Sequence, residues 1–244
     1  MLSLTIVGAG RMGTAVRTLA EGPCDDQGAF AVVGQVGHAV EELEALPAAD
    51  VVIDFSNPAT LDAVRSYVTR TGAALVSGTT GYTDAQMESL RELGSRARVL
   101  WSGNYSIGVA ALRHLVRQAA IELPGFDVEI VECHHNQKAD APSGTAAMLL
   151  DAVIDGKGDP EARPVYGRAG ICGARSPHEI GVHALRGGTV AGTHTVSFFG
   201  PSEEVSLTHR AESREIFARG ALAAARRLAL LEQGFYTFDE VMFG

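Results

Sequence analysis

The sequence predicts an α/β protein with an N-terminal, Rossmann-like, doubly wound parallel sheet and a C-terminal α+β domain with a mixed or antiparallel sheet. Two observations predict this fold class. The first 105 residues alternate short apolar segments with helical segments, which is typical of a parallel sheet covered on both faces. Residues 181–209 instead contain strand segments in succession with no helix between them, which favours antiparallel pairing.

In the first half, apolar runs predict the strands and helical spacing of apolar residues predicts the helices. The predicted strands are Leu2–Val7, Ala29–Val36, Asp50–Phe55, Ala73–Val76 and Val99–Trp101. The predicted helices are Arg11–Ala20, Pro58–Thr71 and Thr83–Ala97.

The second half begins with a long predicted helix, Ile107–Glu122, and ends with another, Ser213–Leu231. Between them we expect strands at Phe126–Glu132, Gly181–Arg186, Gly192–Phe199 and Glu204–His209, and a helix at Ser143–Ile154. Residues 156–177 are rich in glycine and proline and lack periodicity, so they predict an exposed loop. A mobile lid is the alternative interpretation of this segment.

Composition and charge exclude several classes of function. The 244 residues carry a formal net charge of −9, which disfavours binding to nucleic acids or to anionic membranes. No apolar run reaches the length of about 18 residues that a membrane span needs, and the N-terminus lacks the basic region of a signal peptide. Cys24, Cys133 and Cys172 are widely spaced, which disfavours a disulfide framework. Reduced thiols fit a cytoplasmic location.

The glycine pattern Gly8-Ala9-Gly10-Arg11-Met12-Gly13 follows the first predicted strand and opens the first helix. In a dinucleotide-binding turn, Gly8 permits the tight turn, Gly10 lets the backbone approach a pyrophosphate, and Gly13 allows close packing of helix on strand. The unpaired N–H groups at the helix start favour that anion. The alternative is a structural glycine turn in a Rossmann-like domain that binds no nucleotide.

The choice between NADH and NADPH stays open. NAD sites usually place an acidic residue at the end of the second strand, but residues 32–38 contain neither an acid nor an arginine. Arg11 lies near the ribose side of the turn and is a candidate partner for a 2′-phosphate. A solvated arginine at a helix start is the alternative role.

Two further loops follow the fourth and fifth predicted strands, at the sheet edge where doubly wound folds bind ligands. Their candidate cofactor-binding residues are Gly78, Thr79, Thr80, Ser102, Gly103, Asn104 and Tyr105. Such glycines and polar groups are suited to hydrogen bonds with the nicotinamide carboxamide or the ribose. A plain turn with a helix-capping threonine is the alternative for the first loop.

His134, His135 and Lys138 gather positive charge within five positions of an acidic chain. Histidine exchanges protons near neutral pH, and lysine donates a proton or holds a carboxylate. Ser143 is the expected cap of a following helix, which leaves Gly144 and Thr145 in a first turn suited to an anionic group. Strand-end histidines satisfied by backbone are the alternative. We predict no metal, because adjacent histidines share one metal poorly and no third ligand has suitable spacing.

Residues 132–146 carry the pattern E-x-H-H-x-x-K-x-D-A-P-S-G-T-A, which resembles that of the 4-hydroxy-tetrahydrodipicolinate reductase family. The likeness extends over the whole chain, through residues 52–56, 78–81, 104–109, 186–194 and 207–211. The resemblance departs from the family in a glycine turn one residue shorter than in many members. Residues 156–177 match no family pattern.

The resemblance implies a role for each motif. His134 would be the proton donor or acceptor and Lys138 the catalytic lysine, while His135, Gly144 and Thr145 would hold the substrate. The loops at 8–13, 78–80 and 102–105 would bind NADPH or NADH. Residues 1–105 with 215–244 would form the nucleotide domain and residues 106–214 the substrate and oligomerisation domain, assembled as a homotetramer.

The implied reaction is NAD(P)H-dependent reduction of 4-hydroxy-tetrahydrodipicolinate, through dehydration to the cyclic imine, in diaminopimelate and lysine biosynthesis. Two alternatives remain at this point. One is another Rossmann-type NAD(P)-dependent oxidoreductase that acts on a small amino-acid or sugar substrate. The other is a non-catalytic sensor that binds NAD(P)H.

Overall fold

The computed structural model describes residues 1–22, 30–37 and 40–244. The chain divides into two compact units, and each is described by itself. The first unit contains Met1–Ile107 and Glu215–Gly244, and the second contains Gly108–Arg214. The predicted fold class is confirmed, since the first unit has a parallel sheet and the second a mixed one.

The first unit is built on a six-stranded parallel sheet flanked by helices. Its strands are β1 (Leu2–Val7), β2 (Phe30–Val36), β3 (Val51–Asp54), β4 (Ala74–Ser77), β5 (Arg98–Trp101) and β11 (Gly234–Tyr236), in the spatial order β11-β5-β4-β3-β1-β2. Its helices are α1 (Arg11–Glu21), α2 (Leu61–Thr71), α3 (Asp84–Leu93), α6 (Glu215–Leu228) and α7 (Phe238–Phe243). Short 3-10 turns occupy Val40–Ala45 and Pro58–Thr60.

Local sequence signals set the ends of these helices. Thr83 and Gln86 form a reciprocal capping box at the start of α3. Gly72 ends α2 in the left-handed conformation, with φ of 73°. The helix predicted to reach Ala97 ends at Leu93, because residues 94–97 form turns whose N–H groups bond back to residues 91–93.

The C-terminal segment returns to the first sheet. Alanines of α6 are buried, and a Cβ atom on Gly220 would lie 1.7 Å from the carbonyl oxygen of Tyr105, so only glycine permits this approach. Strand β11 then pairs in parallel with β5, and α7 begins with a capping box formed by Thr237 and Glu240. Sequence periodicity did not predict β11 or α7, since each is too short to show a repeat.

The second unit contains a five-stranded mixed sheet and two helices. Its elements are α4 (Ile107–Glu122, which begins at the boundary), β6 (Asp127–His134), α5 (Gly144–Lys157), β7 (Arg163–Val165), β8 (Glu179–Arg186), β9 (Gly192–Gly200) and β10 (Glu203–Ala211). The strands lie in the order β10-β9-β6-β8-β7. β6 runs parallel to β8 and antiparallel to β9.

Strand β6 has one buried and one open face. Val128 and Ile130 are buried with Leu149 and Val153 of α5, and the strand alternation then places Glu132 and His134 on that same face. The intervening residues of β6 face the other side of the sheet. His134 is therefore carried by a packed strand end rather than by a loop.

The interpretation of residues 156–177 as an exposed loop is wrong in part. Helix α5 continues to Lys157, and Arg163–Val165 forms an edge strand parallel to β8. Arg168 then pairs with Glu129 and Glu179, and Arg175 donates to the carbonyl oxygens of residues 128 and 179. These tertiary partners lie far along the chain, so local periodicity could not reveal them.

Three predicted features lie outside the described residues: Ala29 at the start of the second strand, Cys24, and His38 after that strand. Among the residues that are described, no helix combines the length and apolar character needed to cross a membrane.

Candidate active site

The glycine turn after β1 has a geometry that only glycine satisfies at two positions. Gly8 has φ of 109°, and a Cβ atom there would lie 2.2 Å from the carbonyl oxygen of Phe55. A Cβ atom on Gly13 would lie 2.0 Å from the carbonyl oxygen of Gly8. The turn is therefore held tightly between α1 and the end of β3, as a dinucleotide-binding turn requires.

Gly10 differs from the other two glycines of the motif, because a Cβ atom there would meet none of the described residues within 4 Å. Gly10 is also the N-cap of α1, and in the described part of the chain no side chain caps this helix and no acid lies in its first turn. Ala9, Gly10 and Arg11 are exposed and Met12 is half-buried. The open N–H groups and the open space fit a pyrophosphate.

Gln35 occupies the end of β2, where NAD sites commonly carry an acid. Its Nε2 donates to the carbonyl oxygen of Gly8 at 3.0 Å, and its Oε1 accepts from Arg17 at 3.3 Å. Gln35 therefore braces the glycine turn instead of presenting a carboxylate. This geometry leaves the choice between NADH and NADPH open.

Asp54, at the end of β3, is fully buried and collects hydrogen bonds from four hydroxyl groups. Thr79 donates at 2.9 Å, Ser77 and Tyr82 at 3.2 Å, and Ser56 donates as well. Burial raises the pKa of Asp54 against the opposing effect of these hydroxyls. The cluster ties the ends of β3 and β4 to the loop that follows β4.

The cofactor role predicted for the loop at 78–80 stays a prediction. The three residues of this loop differ from one another in burial and in contacts. Thr79 is buried, with its hydroxyl bound to Asp54 and to the N–H of Ser56. A Cβ atom on Gly78 would lie 2.0 Å from the ring of Phe55. Thr80 is exposed, so it is the residue of the three whose side chain is open to a ligand.

The loop at 102–105 is also predicted to bind cofactor. Tyr105 is buried, its hydroxyl donates to the carbonyl oxygen of Ser77 at 2.7 Å, and its ring packs against Phe55 and Phe238. The whole residue is 1% exposed, so Tyr105 belongs to the core. Ser102 Oγ is hydrogen-bonded to the backbone of Asn104, and Gly103 is exposed.

In the second unit, His134 ends β6 against the buried carboxylate of Glu132. His134 Nδ1 lies 2.5 Å from Glu132 Oε2, and the side chain of Glu132 has no exposed surface. The side chain of His134 keeps 11% of its surface exposed. The imidazole is therefore fixed through Nδ1, which leaves Nε2 for proton transfer.

Glu132 has two further partners. Arg186 of β8 donates to both carboxylate oxygens at 2.9 Å, and the backbone N–H of Ser143 donates to Oε1 at 3.1 Å. Burial raises the pKa of Glu132, but the hydrogen bonds from Arg186, His134 and Ser143 outweigh burial and hold it below its usual value. Glu132 is therefore an anion at neutral pH.

His194 of β9 lies beside His134, with ring centroids 5.0 Å apart in an edge-to-face arrangement. It is 3% exposed, and its Nε2 is 3.1 Å from Ser143 Oγ. Burial, followed by the nearby His134, lowers the pKa of His194 to about 4. His194 is therefore neutral at physiological pH.

Lys138 and His135 lie on the turn after β6. Lys138 Nζ pairs with Asp140 Oδ1 at 2.8 Å, and the carbonyl oxygen of Asp140 accepts from Arg186 at 2.5 Å. Through Arg186, a continuous chain of hydrogen bonds and ion pairs joins Lys138 to the Glu132–His134 pair. His135 is half-buried, with its Nε2 3.2 Å from Arg214.

The start of α5 completes this cluster. Ser143 caps the helix by accepting from the N–H of Ala146 at 3.2 Å, as predicted from its sequence position. Gly144 is exposed and a Cβ atom there would meet nothing within 4 Å, while Thr145 is half-buried. The helix start is open toward an anionic group. The substrate roles of Gly144 and Thr145 stay predictions.

Three residues of this cluster were given no role from the sequence: Glu132, which lies within the motif, and Arg186 and His194. The sequence does carry one signal for Glu132. Alternate residues of a strand face the same side, so Glu132 is expected on the face that carries Val128, Ile130 and His134. Arg186 and His194 depend on strand register, which pairs His134 with Arg186 and Glu132 with His194. Among the described residues, no group of three His, Cys, Asp or Glu side chains could hold a metal ion.

A doubly wound sheet with a glycine turn at a helix start defines a Rossmann-type nucleotide-binding protein. Comparison with known families identifies which one. Residues 2–105 match the model of the dihydrodipicolinate reductase N-terminus, and residues 108–242 match that of its C-terminus. The chain belongs to the dihydrodipicolinate reductase family, and the resemblance noted at residues 132–146 is confirmed.

Bacterial relatives match the sequence of this chain over nearly its full length. The chain is 41% identical to the 4-hydroxy-tetrahydrodipicolinate reductase of Caulobacter vibrioides, over 99% of this chain and 97% of that one. It is 43% identical to the enzyme of the same name from an Anaeromyxobacter species, over 99% and 98%. The corresponding Staphylococcus aureus protein is 37% identical, over 98% and 100%.

Solved structures share the fold. The dipicolinate-bound dihydrodipicolinate reductase from Paenisporosarcina sp. TG-14 has a TM-score of 0.78, with 22% identity and full coverage of both chains. The C. glutamicum DAP dehydrogenase in complex with DAP has a TM-score of 0.57 and 15% identity, covering 97% of this chain and 92% of that one. These likenesses show the fold alone.

We expect Gly10→Ala to weaken NADH and NADPH binding by about tenfold or more without lowering the melting temperature, because the added methyl would enter only ligand space. Fluorescence titration and thermal unfolding measure the two effects. Gly125→Ala is the matched control, since its Cβ atom also meets nothing within 4 Å. Unchanged nucleotide affinity in Gly10→Ala would contradict a pyrophosphate site at this turn.

The low pKa of His194 predicts a loss of stability in mild acid. Since the folded-state pKa of about 4 lies below the unfolded value of about 6.5, only the unfolded chain takes up this proton between those pH values. The free energy of unfolding should therefore fall as pH drops from 6.5 to 4, by at most about 1.4 kcal/mol per pH unit. Urea unfolding at pH 7 and pH 5, at one protein concentration, should show a smaller loss for His194→Gln. Equal losses in both proteins would show that His194 is not the group responsible.

Proposed function

We propose that this chain reduces 4-hydroxy-tetrahydrodipicolinate, after loss of water to the cyclic imine, to tetrahydrodipicolinate with NADPH or NADH. The step belongs to diaminopimelate and lysine biosynthesis. One observation carries the proposal: His134 is fixed through Nδ1 by an ionised Glu132, in a cluster that also holds Lys138 and an open helix start. The curated relatives bear this activity in their names.

The nucleotide would be held by the first unit, residues 1–105 with 215–244. The fit is supported by the open Gly10 and the uncapped N-terminus of α1. Thr80 and Gly103 are the exposed residues of the two further loops. The bound nicotinamide supplies the hydride; the residues of this chain orient, bind and protonate.

The substrate is a doubly charged ring and would be held by the second unit, residues 106–214. Its carboxylates need donors and positive charge, which the acidic chain supplies locally through Lys138, His135 and the first turn of α5. The N–H groups of Gly144 and Thr145 would bind one carboxylate, as helix starts do. His135 would contact the ring or the second carboxylate.

The chemistry requires one proton for each hydride. A hydride added to C4 of the conjugated imine moves the C4–C5 electron pair to C5–C6 and the imine pair onto the ring nitrogen. Protonation at nitrogen, followed by transfer of the proton to C5, restores the imine. In this proposal protonated His134 would deliver that proton, and the cation of Lys138 would stabilise the developing negative charge.

The structure of DAP dehydrogenase shares this fold, so fold alone does not exclude a Rossmann oxidoreductase with another small substrate. The cluster of His134, Lys138 and Glu132 favours the reductase, since it supplies the proton donor and the cation that the imine needs. A non-catalytic NAD(P)H sensor would have no use for it.

A homotetramer is part of the proposal and is supported by the open face of the second sheet. Val131, Leu185 and Phe199 lie on this face and are 36–53% exposed. Hydroxyl pairs run between β9 and β10, with Thr195 3.0 Å from Thr208 and Ser197 2.5 Å from Ser206. Such a flat, partly apolar face is suited to pairing with a second copy. A cytoplasmic location is proposed with it.

A coupled assay tests the reaction and the cofactor together. The upstream synthase, supplied with pyruvate and aspartate semialdehyde, provides the substrate, and the oxidation of NADH and NADPH is followed separately at one wavelength. We expect this chain to oxidise nicotinamide only when the synthase is present. Absence of oxidation with either nucleotide would contradict the proposed function.

His134→Ala and Lys138→Ala should each lower turnover by about 100-fold or more, because each removes a group that acts in the proton-transfer step. NAD(P)H affinity should stay within about twofold, since nucleotide binding belongs to the first unit. Steady-state kinetics and nucleotide titration separate the two quantities. Wild-type turnover in both variants would refute the assigned roles.

Phe199→Asp should convert the proposed tetramer into smaller species, because it places a charge on the apolar part of the open sheet face. Light scattering after size-exclusion chromatography measures the mass. Leu115→Asp is the matched control, because Leu115 is an exposed apolar residue of α4, away from the sheet. A wild-type mass of a single chain would contradict the tetramer.

A further inference from the structure

We propose that Glu132 is the positioning residue of the active site: it holds His134 with the proton on Nδ1 and Nε2 toward the substrate, and Arg186 keeps Glu132 in its ionised form. This inference rests on the proposed function, since it assigns a partner to the proton donor of that reaction. Glu132 itself touches no substrate in this scheme and acts only through His134.

Strand geometry fixes the pair. Glu132 and His134 are two residues apart on β6, so both side chains leave the same face of the sheet. Glu132 Oε2 lies 2.5 Å from His134 Nδ1, on a strand whose neighbours β8 and β9 pair along its whole length. The imidazole therefore has little freedom to rotate or to exchange its two nitrogens.

The tautomer follows from the charge of Glu132. An ionised carboxylate only accepts hydrogen bonds, so His134 Nδ1 must carry the proton between them. The two guanidinium bonds from Arg186 and the N–H of Ser143 occupy the other acceptor positions and stabilise the anion. Removal of Arg186 would leave a buried charge without its cation.

His134 Nε2 lies beside Gly192 of β9, where a side chain would obstruct it. A Cβ atom on Gly192 would lie 3.0 Å from Nε2, closer than ordinary contact. Glycine at this position leaves room beside the reactive nitrogen. The other titratable groups around His134 are Arg186 on β8, neutral His194 on β9, and Lys138 with Asp140 on the following turn.

The arrangement has a chemical consequence. A histidine is a useful acid only as the imidazolium, because the neutral ring holds its remaining proton very tightly. The anion of Glu132 accepts the Nδ1–H bond throughout proton delivery, so Nε2 stays the nitrogen that faces the substrate. With an uncharged amide at position 132, nothing would require the proton to stay on Nδ1, and either nitrogen could carry it.

The substitution Glu132→Gln tests this role, because it keeps the shape but removes the charge. We expect kcat to fall by about 100-fold, because the imidazole is no longer held in one tautomer and one orientation. The KM for NADH should not change. Glu129→Gln is the matched control: it removes an ion-paired carboxylate from the other face of β6 and should leave kcat unchanged.

A second measurement needs no substitution at Glu132. In the wild-type protein labelled with ¹⁵N-histidine, long-range ¹H–¹⁵N spectra at alkaline pH report which nitrogen of His134 carries the proton, with His134→Asn to assign the signal. We expect the Nδ1–H form. An Nε2–H form, or a Glu132→Gln enzyme with wild-type kcat, would overturn the positioning role. An inactive wild-type enzyme in the coupled assay would instead refute the proposed function, so the two failures are distinguishable.

Discussion

A buried negative charge is the constraint on which the second unit depends. Glu132 has no exposed surface, yet its partners lower its pKa and keep it ionised. A buried carboxylate is stable only when its oxygens meet donors and its charge meets a cation. Arg186 comes from β8, His134 from β6 and the N–H of Ser143 from the start of α5. The contacts that stabilise the negative charge of Glu132 therefore also fix the relative positions of β6, β8 and α5 around the site.

The first unit also buries a carboxyl group, but stabilises it with different partners. Asp54 is also fully buried, but its partners in the described part of the chain are the hydroxyls of Ser56, Ser77, Thr79 and Tyr82, with no cation among them. Burial therefore dominates and raises its pKa, whereas the guanidinium of Arg186 brings the pKa of Glu132 down. Hydroxyl donors hold a loop without placing a strong charge there. The guanidinium of Arg186 instead keeps a carboxylate ionised beside His134.

The sequence predicted the long elements well, because each shows a repeat or a strong start signal. Ile107–Glu122 has the predicted bounds, and Ser143 caps α5 as expected. The features that the sequence did not predict are either short or depend on residues far apart in the chain. β7 and β11 have three residues each, too few for a period, and they exist because a neighbouring strand supplies hydrogen bonds. Tyr105, chosen as a polar loop residue, proved to be a core residue because its hydroxyl finds a backbone acceptor.

By itself the sequence determined the family, the α/β class, the glycine turn and the cationic motif at residues 134–138. These features are local, since residue types at fixed spacing along one segment carry them. The tertiary structure alone decided that Glu132 and Arg186 surround His134, and that His194 lies beside it as a neutral ring. Burial and strand register bring together residues 52 to 62 positions apart, and those two factors set both the charge and the orientation of each side chain.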